Sequence, residues 1–172
     1  TLQAATRSDP PQRMPQGQSI YRIDGDVRVN RQRANLDTIV RPGDEVQTGQ
    51  NSRVIFVVGT DAYHLRAQGR VQLAGSGALV SALRLLSGGL LSVFGKHQSL
   101  ISTPLATLGI RGTGVYAETF PDLSYLCTCY GETDLSANDD PTSRESILSE
   151  HHDAPRYVVA EGGPGMRIRT AP

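Results

Sequence analysis

Cys127 and Cys129 stand one residue apart in LCTCYGET, residues 126–133, and are the chain's two cysteines. Twenty-two positions after Cys129 comes His151, followed at once by His152 in HHDAPRY. On a strand, residues two apart share a face, with Cα atoms roughly 6.5 Å apart at a rise of ~3.3 Å per residue. A disulfide prefers a Cα separation of about 5.5–6 Å and a fixed torsion, so joining this pair would buckle the strand. Two thiolates converge on one ion without that strain, at metal–sulfur distances of about 2.3 Å. With one or two imidazoles they form a donor set for zinc in a closed tetrahedral site, or for copper. A [2Fe–2S] cluster on two cysteines and two histidines is a weaker alternative, because the Cys-x-His…Cys-x-x-His spacing of Rieske centres is missing.

Adjacent histidines point to opposite faces of a regular strand, so both reach one ion only from a turn or loop end. Otherwise one of His151 and His152 ligates, and Asp153 is placed to accept the other ring N–H of the ligand. Two competing chemistries use the same residues: a labile disulfide or dithiol in redox exchange, including electron transfer, and a plain structural role.

Other reactive patterns are missing. There is no phosphate-binding loop, no dinucleotide fingerprint, no His-Glu-x-x-His and no Gly-x-Ser-x-Gly. The acidic run at 138–140 lacks the spacing of a calcium loop. These residues point to binding rather than turnover, and no catalytic residue is assigned.

The elements that must position the cysteines read as strands. The chain has 172 residues, 18 glycines, no tryptophan, and equal numbers of basic and acidic residues, 17 each. That balance gives no electrostatic pull toward nucleic acid or anionic lipid. No apolar run approaches the roughly 20 residues of a membrane helix. Residues 1–18 are polar and rich in Pro and Gln, and read as a flexible leader. Residues 19–172 read as one domain of many short strands.

SIYRIDGDVRVNRQ alternates around Asp24-Gly25, which predicts a hairpin there. Val54 to Val58 is a continuous β-branched and aromatic run, a buried strand. His64 falls on the opposite face from Tyr63 and Leu65, and His97 in its polar turn reads as solvated. Residues 79–94 fit a helix by the spacing of Leu79, Leu83, Leu86 and Leu90, and equally fit two strands parted by Gly88-Gly89. GETDLSANDDPTSRESILSE, with its turn residues, reads as a long surface loop over 132–150. RYVVAEGGPGMRIRT closes the domain with two short strands around a Gly-rich turn.

Four stretches together resemble the FecR-like domain, the extracytoplasmic domain of bacterial ferric-citrate-type regulators. They are GDVRVNR, VRPGDEVQTGQNSRVIFVVG, LRLLSGGLLSVFG and ISTPLATLGIRGTGVYAE, spread over residues 20–120. The last, with its Arg-Gly-Thr turn at Arg111, Gly112 and Thr113, is the most specific. The resemblance implies an all-β domain, an antiparallel sandwich or rolled sheet, in the periplasm or otherwise outside the cytoplasm. It also favours strands over 79–94, while the regulator's own function does not transfer and an envelope protein partner belongs to the interaction-module alternative. Gly112 and Gly114 allow a tight turn and Arg111 can bind nearby carbonyls or a carboxylate, so 111–113 has a structural role. Regulators of that type also carry a cytoplasmic segment, a membrane helix and a receptor-facing segment, which these residues do not include. The resemblance therefore carries the domain, and the cysteine–histidine region is an addition to it. A protein-interaction module using a sheet edge or the 132–150 segment is the alternative to metal holding or sensing.

Overall fold

The computed structural model describes residues 14, 17–152 and 154–172, and its main-chain hydrogen bonds are those of strands and turns. Most of the expected leader, and Asp153, lie outside the described residues. The strands run β1 (Ile20–Asp24), β2 (Val27–Val29), β3 (Gln32–Arg33), β4 (Glu45–Thr48) and β5 (Arg53–Val58). They continue as β6 (Asp61–Leu65), β7 (Arg70–Ser76), β8 (Leu79–Val93), β9 (Gln98–Ser102) and β10 (Ala106–Arg111). The last five are β11 (Gly114–Thr119), β12 (Leu123–Ala137), β13 (Asp140–Ser149), β14 (Pro155–Val159) and β15 (Ile168–Thr170). The all-β expectation is met.

The strands form two layers. One has the order β1-β5-β6-β8-β11-β12-β14-β15. The other runs β3-β2-β4-β7-β8-β9-β10-β12-β13. Strands β8 and β12, 15 residues each, belong to both layers. Because they share these two strands, β8, β11, β12, β10 and β9 close into a ring, which is the rolled part of the sheet. Pairing is antiparallel except between β8 and β9, which run parallel. Alternate residues of both layers meet in one core, with Val54, Phe56 and Leu65 from the first and Leu83, Ile101 and Leu108 from the second.

Each shared strand changes layer at a glycine. In β8 the pairing passes from Arg70↔Ser87 in one layer to Thr119↔Gly88 in the other, and Gly88 has φ +79°. In β12 it passes from Gly114↔Tyr130 to Gly131↔Ser149, and Gly131 has φ +91°. Left-handed backbone disfavours residues with a Cβ, so glycine is the residue at which each strand folds over at least cost. Residues 79–93 are therefore one bent strand, neither a helix nor two strands.

Three further expectations are corrected. Asp24-Gly25 does not close a hairpin: β1 pairs with β5 and β2 with β4, so this turn carries the chain from one layer to the other. The segment 132–150 is not a loop but a hairpin, the second half of β12 against β13, turning at 138–139. Its inward positions Thr133, Leu135, Ala137, Ser143, Ile147 and Ser149 alternate as a strand requires, but half of them are polar. His97 is not simply solvated, since its Nε2 lies 2.8 Å from both carboxylate oxygens of Asp61.

The Arg111–Thr113 turn joins β10 in one layer to β11 in the other. Arg111 is exposed, Gly112 has φ +59°, and the Thr113 carbonyl accepts from the Phe94 N–H at 2.9 Å.

Candidate metal centre

The first half of β12 lies between β11 and β14, with Cys127 opposite Tyr116 on one side and Pro155 on the other. Leu126 packs into the core, and the Thr128 hydroxyl pairs with that of Thr133 at 2.7 Å on the same inner side. Cys127, between them, faces outward beside Tyr116 and Tyr125. Its thiol is nonetheless covered, with the residue 5% exposed, because the outer face is roofed by aromatic rings and by the turn after β13. Tyr125 stacks edge-on against both Tyr116 and Tyr157, with ring centroids at 6.2 Å and 5.7 Å.

Cys129 occupies a β-bulge. The β11–β12 register passes from Val115↔Thr128 directly to Gly114↔Tyr130, which leaves Cys129 as the extra residue of β12. A bulge bends its strand and re-aims a side chain. It also sits immediately before the Gly131 crossing, so the strand turns away just past the thiol.

His152 is brought over the thiols by its own backbone. Its N–H donates to the Cys129 carbonyl at 2.9 Å, and its φ of +50° curls the turn after β13 back toward β12. Nδ1 then lies 4.0 Å from Cys127 Sγ. One ligand atom from each of Cys127, Cys129 and His152 falls within 4.8 Å of the others. A tetrahedral site with Zn–S bonds of about 2.3 Å and Zn–N bonds of 2.0–2.1 Å spaces its donors by roughly 3.5–3.8 Å. Cys127 Sγ and His152 Nδ1, 4.0 Å apart, stand near that spacing, the third donor lies within 4.8 Å of both, and the donor chemistry fits a thiophilic ion. His151, also expected to ligate, is exposed and outside the group. The two-histidine set of a [2Fe–2S] centre is therefore not assembled.

Burial pushes the Cys129 thiol up to about 11, helped by the neighbouring Cys127, while a backbone hydrogen bond from Tyr116 opposes it. A bound cation would reverse that preference, since metal ligation displaces the thiol proton. The thiols and His152 open onto a cleft of about 580 Å³ whose walls include Arg66, Leu91, Tyr116, Tyr125 and Pro155. The aromatic and cationic walls were not legible as part of a site. The register between strands sets them in adjacent rows, Leu91↔Tyr116↔Cys127 and Gly89↔Glu118↔Tyr125, with the Arg66 N–H donating to the Gly89 carbonyl.

No family model and no curated protein matches the chain. Two crystal structures of a candidate anti-sigma factor from Parabacteroides distasonis, at 1.65 and 2.50 Å resolution, are similar to it with a TM-score of 0.60. Identity is 12% and 11%, over 74% of this chain and 58% of that one. The likeness is one of fold, and the chain spans 58% of that protein's length.

Proposed function

We propose that this chain is an extracytoplasmic β-module of the FecR-like kind that holds one metal ion on Cys127, Cys129 and His152. It acts in envelope signalling by binding a metal and a protein partner rather than by turnover. The observation that carries the metal is the convergence of three donors from two elements, with Cys127 and His152 25 residues apart in the chain. Zinc and copper are the ions suited to two thiolates and an imidazole. The fold likeness to a candidate anti-sigma factor supports the signalling part, and the resemblance in residues 20–120 supports the FecR-like part. The test is metal analysis of protein purified without oxygen, beside Cys127→Ser and His152→Ala. About one equivalent of metal per chain, lost in both variants, is expected for a three-donor site. Metal-free protein with a reversibly titrating dithiol would replace this reading with redox exchange at the same pair.

One observation favours a second reading, an interaction module. Among the described residues strand β13 pairs on one side only, with β12, and its Leu148 is 77% exposed. A long edge strand offers main-chain donors and acceptors to a partner strand. Loss of partner binding on Leu148→Lys, with Cys127→Ser still binding, would favour it.

A further inference from the structure

The cleft beside the cysteines holds a cation, Arg66, that forms no ion pair among the described residues. Arg66, exposed at the end of β6, donates from Nη1 to the Tyr116 hydroxyl at 3.3 Å, and Tyr116 donates in turn to Glu118 at 3.0 Å. Glu118, hydrogen-bonded to the same hydroxyl, attracts Arg66 from beyond contact distance. The guanidinium is thus steadied by one hydrogen bond and keeps further N–H donors for a planar anion. It lines the same cleft as Cys127, Cys129 and His152.

An adjoining cleft of about 610 Å³ shares Arg66, Leu91 and Tyr116 with the first and continues across the sheet to His64 and Arg53. Arg53 and Arg22 both pair with Asp24, at 2.6 and 2.9 Å, so that trio keeps one net positive charge. His64 Nε2 is buried there and meets no hydrogen-bond partner among the described residues. This adjoining cleft therefore offers cations and a ring nitrogen beside Asp24.

Charge and coordination number then bear on the same point. Cys127, Cys129 and His152 supply three donors, and a tetrahedral divalent ion takes a fourth ligand. Two thiolates cancel a divalent charge. A carboxylate in the fourth position would leave one negative charge uncompensated, and Arg66 is the cation in that cleft to offset it. A monovalent ion would leave the thiolate site anionic already and would repel such a ligand. Resting on the metal reading above, we propose that the site binds a divalent ion with its fourth position open to a small carboxylate, held jointly by the ion and by Arg66. The size of the cleft suits a small molecule, since such sites span about 300–1,000 Å³.

The experiment uses the full chain loaded with Co²⁺, whose visible absorption reports thiolate ligation and coordination geometry, titrated with acetate and, as a neutral control, acetamide. Wild type should show a thiolate–cobalt spectrum that shifts saturably with acetate and not with acetamide. Arg66→Gln should keep the cobalt spectrum while acetate affinity falls about tenfold, the loss of one charge-assisted hydrogen bond of about 1.4 kcal/mol, and Arg66→Lys should recover part of it. A cobalt spectrum indifferent to acetate, or equally sensitive in Arg66→Gln, would overturn this inference and leave the metal reading standing. Absence of any thiolate–cobalt absorption would overturn both.

Discussion

Asp61 and His97 meet across the ring strands' edge, with Nε2 2.8 Å from Oδ1 and from Oδ2 of a carboxylate that is 1% exposed. The same carboxylate accepts from the Gly95 N–H at 2.8 Å and the Tyr63 hydroxyl at 3.1 Å. A charge so buried persists only with partners of this kind, and removing one leaves the others around an unsatisfied group. The pair thus ties the start of β6 to the turn between β8 and β9.

Burial alone would lower the His97 pKa, but the Asp61 hydrogen bond and charge, with a bond to the Gln98 carbonyl, hold it above its ordinary value. A raised folded pKa means that the pair's stabilisation is complete below the unfolded value, about pH 6.5, and fades as pH rises through the folded value. Melting temperature should therefore fall as pH rises above about 6.5 and through the folded value, and His97→Gln should flatten that slope. Equal slopes in both proteins would contradict the assignment.

The layer crossings predict an ordered set of glycine effects. A Cβ on Gly88 would stand 2.7 Å from Gly69 Cα, and one on Gly131 would stand 2.5 Å from Thr113 Cγ2. Gly77 has φ +62° as well, but a Cβ there meets nothing within 4 Å. Gly77→Ala should cost only the left-handed penalty, about 1–2 kcal/mol, and Gly88→Ala distinctly more, because backbone cannot yield as a side chain can. Urea unfolding of the three alanine variants tests the order.

Asp140 holds the Gly-rich turn between β14 and β15. Its carboxylate accepts from the Ser143 hydroxyl at 2.8 Å and the Gly165 N–H at 2.7 Å, and it takes both the N–H and the hydroxyl of Thr142. These bonds, the Thr142 hydroxyl first, hold its pKa well below the usual carboxylate range. Asp140→Ala should speed amide exchange over residues 163–167 and leave the Tyr116–Tyr125 region protected. Unchanged exchange at 163–167 would mean that other contacts hold the turn.

The two histidines separate cleanly. His152 carries the backbone bond to Cys129 and belongs to the donor group, whereas His151 is exposed. His152→Ala should abolish stoichiometric metal binding, while His151→Ala should keep metal affinity within about threefold, a change of well under 1 kcal/mol. Equal losses in the two variants would show that the turn rearranges to use either ring.

Much of this was readable from local pattern, and the failures have local causes. Val54–Val58 is buried on both faces and reads as a strand from its β-branched run alone. Cys127 and Cys129 stand out because no other thiol competes for attention. By contrast, 132–150 hides its strand period, because positions such as Thr133 and Ser143 face inward as polar groups satisfied by Thr128 and Asp140. Gly88 and Gly131 look like ordinary turn residues, since a strand that crosses between layers leaves no mark beyond the glycine itself. The bulge at Cys129 and the partnership of Asp61 with His97, 36 residues apart, are set by register between distant strands. No single stretch of sequence contains that information.

The most direct test of the central claim is X-ray absorption at the zinc edge on protein loaded with one equivalent of Zn²⁺. Two sulfur scatterers at about 2.3 Å and one imidazole nitrogen at about 2.0–2.1 Å are expected, with a further light atom completing the shell. A shell of oxygen and nitrogen alone, unchanged in Cys127→Ser, would contradict the claim and remove Cys127 and Cys129 from metal chemistry.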